Sequence, residues 1–127
     1  MSQRHLCIIA HGSRRQASND EVRRLGTHLA QLQPPGVEHV EVAFLELAEP
    51  SIPEGLARCA EKGAREIIVF PYFLAAGTHV AQDIPEAIAE FRRARPDVAV
   101  TLTPHLGASA ALPLAILDVA TRHTAQA

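Results

Sequence analysis

The chain is expected to fold as an open, parallel, four-stranded α/β sheet with helices on both faces, and three features of the sequence carry that expectation. Strand-like and helix-like segments alternate through four units between residues 4 and 124, the order that gives a parallel sheet covered by helices. The connections between them are short. The first strand-like run is almost wholly apolar, as a strand buried on both faces requires. At 127 residues the chain falls near the commonest domain size, so one domain over residues 1–127 is expected.

Each element has its own signal. His5 to Ala10 is the first strand. Ser18 and Glu21 stand at capping-box spacing, and Val22, Leu25, Leu29 and Leu32 follow at helical period, so the first helix is expected to open at Ser18 and to stop at Pro34-Pro35-Gly36. A second strand runs from about Glu38 to Leu45. Ser51-Ile52-Pro53-Glu54 then starts a helix, with serine as the cap and proline in the first turn, where a missing N–H is tolerated. Gly63 ends it. The third strand, Ile67 to about Phe70, leads into a loop over residues 74–82, and Asp83-Ile84-Pro85-Glu86 repeats the earlier helix-start signal before Pro96 closes the third helix. The last unit is a strand from Val98 to Thr103 and a helix of small apolar residues from about Ala110.

Composition removes several classes of function. Apolar residues at 47% and charged residues at 20% favour a globular chain over a disordered one. A formal net charge of −2 supplies no basic stripe for a phosphate backbone, so nucleic acid is not an expected partner. No apolar run reaches the ~20 residues of a membrane span, and no signal-peptide pattern opens the chain. A soluble, cytoplasmic protein is expected. Cys7 and Cys59 lack CxxC spacing and read as buried thiols.

In an open parallel sheet, ligands bind beyond the carboxyl ends of the strands. Four polar residues have that address: His11 after the first strand, Glu46 after the second, His79 in the loop after the third and His105 after the fourth. His5, His28, His39 and His123 do not, and solvated or half-buried surface roles suit them. Two imidazoles and a carboxylate would suit a borderline divalent metal, and the same groups accept protons near neutrality. Spacing alone does not establish such a site. His11, Glu46 and His79 are 35 and 33 residues apart, with no compact ligand motif joining them.

Three motifs carry a resemblance: Ala10-His11-Gly12-Ser13-Arg14; Val42-Ala43-Phe44-Leu45-Glu46-Leu47-Ala48-Glu49-Pro50-Ser51; and Pro71-Tyr72-Phe73-Leu74 through Gly77-Thr78-His79-Val80 to Asp83-Ile84-Pro85. In order and spacing they resemble the class II chelatases, specifically the short sirohydrochlorin chelatases of cobalamin and siroheme synthesis. The similarity runs from residue 6 to about 107. It implies a chelatase-like, flavodoxin-like lobe that inserts a divalent metal, with cobalt favoured over iron or nickel, into sirohydrochlorin or a related tetrapyrrole. His11 and His79 match the family's active-site histidines, and Glu46 matches the associated carboxylate. All three are expected at the metal and in the chemistry.

Arg14 and Arg15 could meet substrate carboxylates, because guanidinium groups bind them by paired hydrogen bonds. The resemblance further implies a homodimer, since family members exist in two-lobed and one-lobed forms. No cofactor beyond the metal substrate is expected. His105 lies outside the matched motifs and is only a neighbour. Two rivals use the same residues: a non-catalytic tetrapyrrole or metal carrier, and a histidine-type phosphatase. The second lacks the arginine that usually precedes the histidine, because Ala10 stands there.

Overall fold

The computed structural model describes residues 3–123, and His79 by its backbone only. Four parallel strands, β1 (Arg4–Ala10), β2 (His39–Phe44), β3 (Glu66–Pro71) and β4 (Ala99–Leu102), form one sheet in the order β2-β1-β3-β4. Helices α1 (Gln16–Gln31), α2 (Ile52–Glu61), α3 (Ile84–Ala94) and α4 (Leu112–Arg122) follow the strands in turn. The expected α/β order and parallel sheet are therefore present.

Register separates the two faces. Ile8 pairs with Val42 on one side and Phe70 on the other, so Leu6, Ile8, Val40, Val42, Ile68 and Phe70 share the face that α1 covers in part. There α1 lies so close that a Cβ at Gly26 would come within 2.6 Å of a Val42 methyl. The opposite face carries Cys7, Ile9, Ala43, Ile67, Val69 and Val100, which join Leu56, Cys59, Ile84, Ile88 and Phe91 of α2 and α3 in the main core. Each large side chain fully buried there is worth about 1.5–3 kcal/mol relative to exposure. Both cysteines are buried and free, as expected. Hydrogen bonding to Cys59, reinforced by burial, pushes the Cys7 thiol well above its ordinary pKa.

Helix starts divide into one that follows its local signal and two that do not. At α2 the capping box forms in full: Ser51 Oγ accepts from the Glu54 N–H at 3.3 Å, and Glu54 Oε1 accepts from the Ser51 N–H at 2.9 Å, an arrangement worth about 1 kcal/mol. The box expected at Ser18 is absent. α1 begins at Gln16 with Arg15 at its N-cap, and Ser18 lies inside the helix. A tertiary tie overrides the local signal, because the side chain of buried Asn19 holds both the N–H and the carbonyl of Ser13, at 2.9 and 2.8 Å. At α3 the segment His79–Asp83 is a π-helical turn that runs straight into the helix, and Asp83 has helical backbone angles and makes no capping bond. The echo between residues 51–54 and 83–86 therefore does not extend to geometry.

Two further expectations are corrected. His5 is not a surface histidine: it is 2% exposed, its Nδ1 has no hydrogen-bond partner, and its ring lies 5.1 Å from that of His39. The alternation of β1 turns it towards the α2 side of the sheet. α4 does not cover the sheet. Apart from half-buried Leu112, its residues are exposed, including Leu114, Ile116, Leu117 and Val119. Among the described residues, no helix is long and apolar enough to cross a membrane.

Burial, with the nearby His39 adding to it, lowers the pKa of His5 below its usual 6.5. As pH falls through 6.5, the unfolded chain takes up a proton that the folded chain refuses, so stability is lost below that value. The thermal midpoint should drop between pH 7 and pH 5.5, where carboxylates remain ionised, and His5→Leu should flatten that limb. An unchanged acid limb in His5→Leu would show that His5 does not control it.

Candidate active site

The β1–β2 ladder continues past its last paired residues, Ala10 and Phe44. Leu45 N–H donates to the Ala10 carbonyl at 2.9 Å, and Glu46 N–H donates to the His11 carbonyl at 3.1 Å. These bonds bring the residues that follow the two strands side by side, and His11 Nε2 meets Glu46 Oε2 at 2.9 Å. Two of the three residues expected at the metal are thus in contact, although separated by 35 positions in the chain.

Gly12 makes this approach possible. Its φ is +94°, and a Cβ there would lie 1.8 Å from the Glu46 carbonyl oxygen. Any side chain would push the two loops apart. On the far side of the turn, Asn19 clamps Ser13, so the His11 loop is fixed from both ends. The Phe73 ring stands 6.5 Å from the His11 ring, tilted by 50°. His11 and Glu46 are each about half exposed, at 53% and 54%, which leaves the pair open to solvent and to an incoming ligand.

The pair lies in a cleft of about 350 Å³ that reaches between the loop after β2 and the start of α3, lined also by Ile52, Pro53, Asp83, Glu86 and Glu90. Glu46 beside the imidazole and three further carboxylates, Asp83, Glu86 and Glu90, line this space. Such a one-signed cleft concentrates cations and repels anions. Asp83, Glu86 and Glu90 were not among the expected site residues. Their signal was present in the spacing i, i+3, i+7, which places them on one face of a helix.

His79 is the first residue of the π-helical turn that ends at Asp83, so its backbone stands at the head of the segment that walls the cleft; its side chain lies outside the described residues. Arg14 and Arg15 are exposed and do not line the cleft. The backbone of Arg15 caps α1 instead. His105 is half-buried and borders a different cleft, with Phe70, Thr103 and Pro104. Among the described residues, no three His, Cys, Asp or Glu side chains form a ready metal cage. A histidine and a carboxylate in hydrogen-bond contact within an acidic cleft can hold a divalent cation loosely and take up protons.

The CbiX family model matches residues 5–123 of this chain. The chain belongs to the CbiX family. The match includes α4, so the relationship extends beyond the similarity expected to end near residue 107. A sirohydrochlorin cobaltochelatase from Methanopyrus kandleri is 37% identical over 81 residues, covering 64% of this chain and 55% of the relative. A chloroplastic sirohydrochlorin ferrochelatase from Arabidopsis thaliana is 34% identical over 102 residues, covering 80% and 44%. The solved sirohydrochlorin chelatase SirB from Bacillus subtilis subspecies spizizenii, in complex with cobalt, superposes with a TM-score of 0.78 at 28% identity, over 94% of this chain and 50% of SirB. The chain thus spans about half the length of these relatives.

Gly12→Ala should destabilise the fold by about 2–3 kcal/mol, because it adds overpacking to a disfavoured backbone angle. Asn19→Ala should cost about 1–3 kcal/mol by stranding the Ser13 backbone groups. Chemical denaturation of both variants measures these losses, and a Gly12→Ala variant as stable as the parent would disprove the close contact.

Proposed function

We propose that this chain inserts a divalent metal, Co²⁺ in preference to Fe²⁺ or Ni²⁺, into sirohydrochlorin or a related tetrapyrrole. The observation that carries the reading is the 2.9 Å contact of His11 with Glu46 at the carboxyl rim of the sheet, inside an acidic cleft. Membership of the CbiX family supplies the substrate class. Cobalt is the first choice because the M. kandleri relative is named for cobalt, and the A. thaliana relative, named for iron, keeps that metal in contention.

Insertion exchanges two pyrrole N–H protons for one dication, so the protein must deliver the metal and remove two protons. Carboxylates on α3 raise the local concentration of the cation. His11 and Glu46, with His79 as the third member, bind it through few enough donors that it can leave for the macrocycle, unlike an ion closed in by four protein ligands. As the metal moves, the imidazoles and Glu46 accept the displaced protons. Arg14 and Arg15 stand outside the cleft, on the loop after β1, where they would bind the peripheral carboxylates of the substrate by paired hydrogen bonds. The protein acts in the cytoplasm as a homodimer of one-domain chains, with the second copy supplying the other wall for the flat macrocycle. No further cofactor is required.

Anaerobic insertion into purified sirohydrochlorin, followed by visible spectroscopy with each metal offered separately, tests this reading. His11→Ala and His79→Ala should each lower kcat about 10²-fold or more, and Glu46→Gln should lower it less. Retention of full activity by both histidine variants would remove them from the mechanism, and saturation at one equivalent of macrocycle would make the protein a carrier. Glu86→Gln with Glu90→Gln should raise KM for the metal with little change in kcat, and should weaken the dependence of KM on salt.

A further inference from the structure

The loop that carries Glu46 is held at its entry by the β1 ladder and is thinly supported beyond it. Glu46, Leu47 and Glu49 are exposed, so their side chains bury little that would fix the loop. Leu47 nevertheless has φ +65°, in the left-handed region that a non-glycine residue rarely adopts, and such an angle persists only where surrounding contacts over-determine it. The returning limb is met from two sides. Phe44 N–H donates to the Pro50 carbonyl at 2.8 Å, and Arg23 of α1 donates from Nη2 to the Glu49 carbonyl, also at 2.8 Å.

Arg23 does more than make that one bond. Its Nη1 donates to Asp20 Oδ1 at 2.9 Å, and its guanidinium carbon stands 5.1 Å from the centroid of the Phe44 ring. Phe44 is wholly buried and ends β2, so one flat cation meets both the start and the end of the loop that carries Glu46. A lysine ammonium could bond to the carbonyl, but it has no planar fork for the other contacts.

Asn19 lies four residues earlier on α1, hence on the same face of the helix. It holds Ser13, on the loop that carries His11, whereas Arg23 holds Glu49, on the loop that carries Glu46. Beyond them, Gly26 seats α1 closely against Val42 of β2. One helix face thus grips both halves of the His11–Glu46 pair from behind. Neither Asn19 nor Arg23 lines the cleft in which the pair lies.

We propose that Arg23 is a positioning residue for the candidate site. Through the Glu49 carbonyl and the Phe44 ring it holds the left-handed turn at Leu47, and so keeps the Glu46 carboxylate against the His11 imidazole. The proposal rests on the reading that His11 and Glu46 act together on the metal. It gives Arg23 no contact with metal or macrocycle, so its effect must pass through Glu46.

Two readouts test it, one of them independent of catalysis. Nitrogen-15 NMR at one fixed pH follows the His11 Nε2 resonance, which reports the contact with Glu46. Glu46→Gln should move that resonance, Arg23→Ala should move it in the same direction, and the double variant should move it little further than Glu46→Gln alone. In metal insertion, Arg23→Ala should lower kcat about tenfold with little change in KM for sirohydrochlorin. Arg23→Lys should recover part of the loss, and Arg23→Ala should have almost no effect on kcat in the Glu46→Gln background, because the two substitutions remove one coupled interaction. Arg4→Ala, which breaks the Arg4–Glu66 pair at the amino end of the sheet, is the control for stability and should lower the thermal midpoint without lowering kcat. If Arg23→Ala fails to fold, Arg23→Lys carries the same comparisons. A His11 resonance unmoved by the Arg23 substitution, or full additivity of the two substitutions in kcat, would overturn the positioning role. A resonance unmoved by Glu46→Gln would overturn the pair and the proposal with it. Coupled NMR shifts in a wild-type protein that inserts no metal would sink the chelatase reading and leave the role of Arg23 standing.

Discussion

Two backbone hydrogen bonds beyond the paired ends of β1 and β2 hold the candidate site together. They join Leu45 to Ala10 and Glu46 to His11, and so convert strand register into side-chain geometry. A slip of one residue would reverse the faces of β2 and carry Glu46 away from His11. The core opposes such a slip, because Ala43 and Cys7 are wholly buried against α2 and α3. The site is therefore precise because the sheet beneath it is, and Gly12 lets the His11 loop approach closely enough for that precision to reach the rim.

Energetically, the His11–Glu46 contact is weak by design of its surroundings. Each partner is about half exposed, and solvent-exposed pairs contribute at most about 1 kcal/mol. A contact this slight does not organise the fold. It leaves both groups available to a cation, while the fold pays for their placement elsewhere, in the Asn19 clamp and the packed β2 register. The division between a rigid frame and a loosely engaged pair is what the proposed collection and release of an ion would require.

Alternation and burial made the architecture legible before any coordinates. Continuous apolar runs marked β1 and β3, proline and serine marked α2, and the rule that ligands gather beyond strand ends placed His11 and Glu46 at the same rim. Local signals failed where distant contacts decided the outcome. Ser18 is a good cap in isolation, but Asn19 reaches back to Ser13 and starts α1 a turn earlier. His5 looks polar at the head of a strand, yet the pleat turns it inward. Asp83 and Glu86 read as a helix-start signal, and nothing local ties them or Glu90 to a cleft until α3 is seen beside the loop after β2. The exposed state of α4 was illegible for a different reason: its composition is that of a buried helix, whereas the described residues leave it exposed.

The two sulfurs in the core have a chemical consequence. A protein that carries out the proposed insertion would meet transition ions beside open water, where peroxides and radicals arise, and thiolates are the groups these attack first. Cys7 and Cys59 have no accessible surface, and the mutual hydrogen bond of the pair, with its burial, keeps Cys7 in the unreactive protonated form. Oxidative damage must therefore wait for the sheet to open, and the pace at which an alkylating reagent consumes these sulfurs records how often it does so.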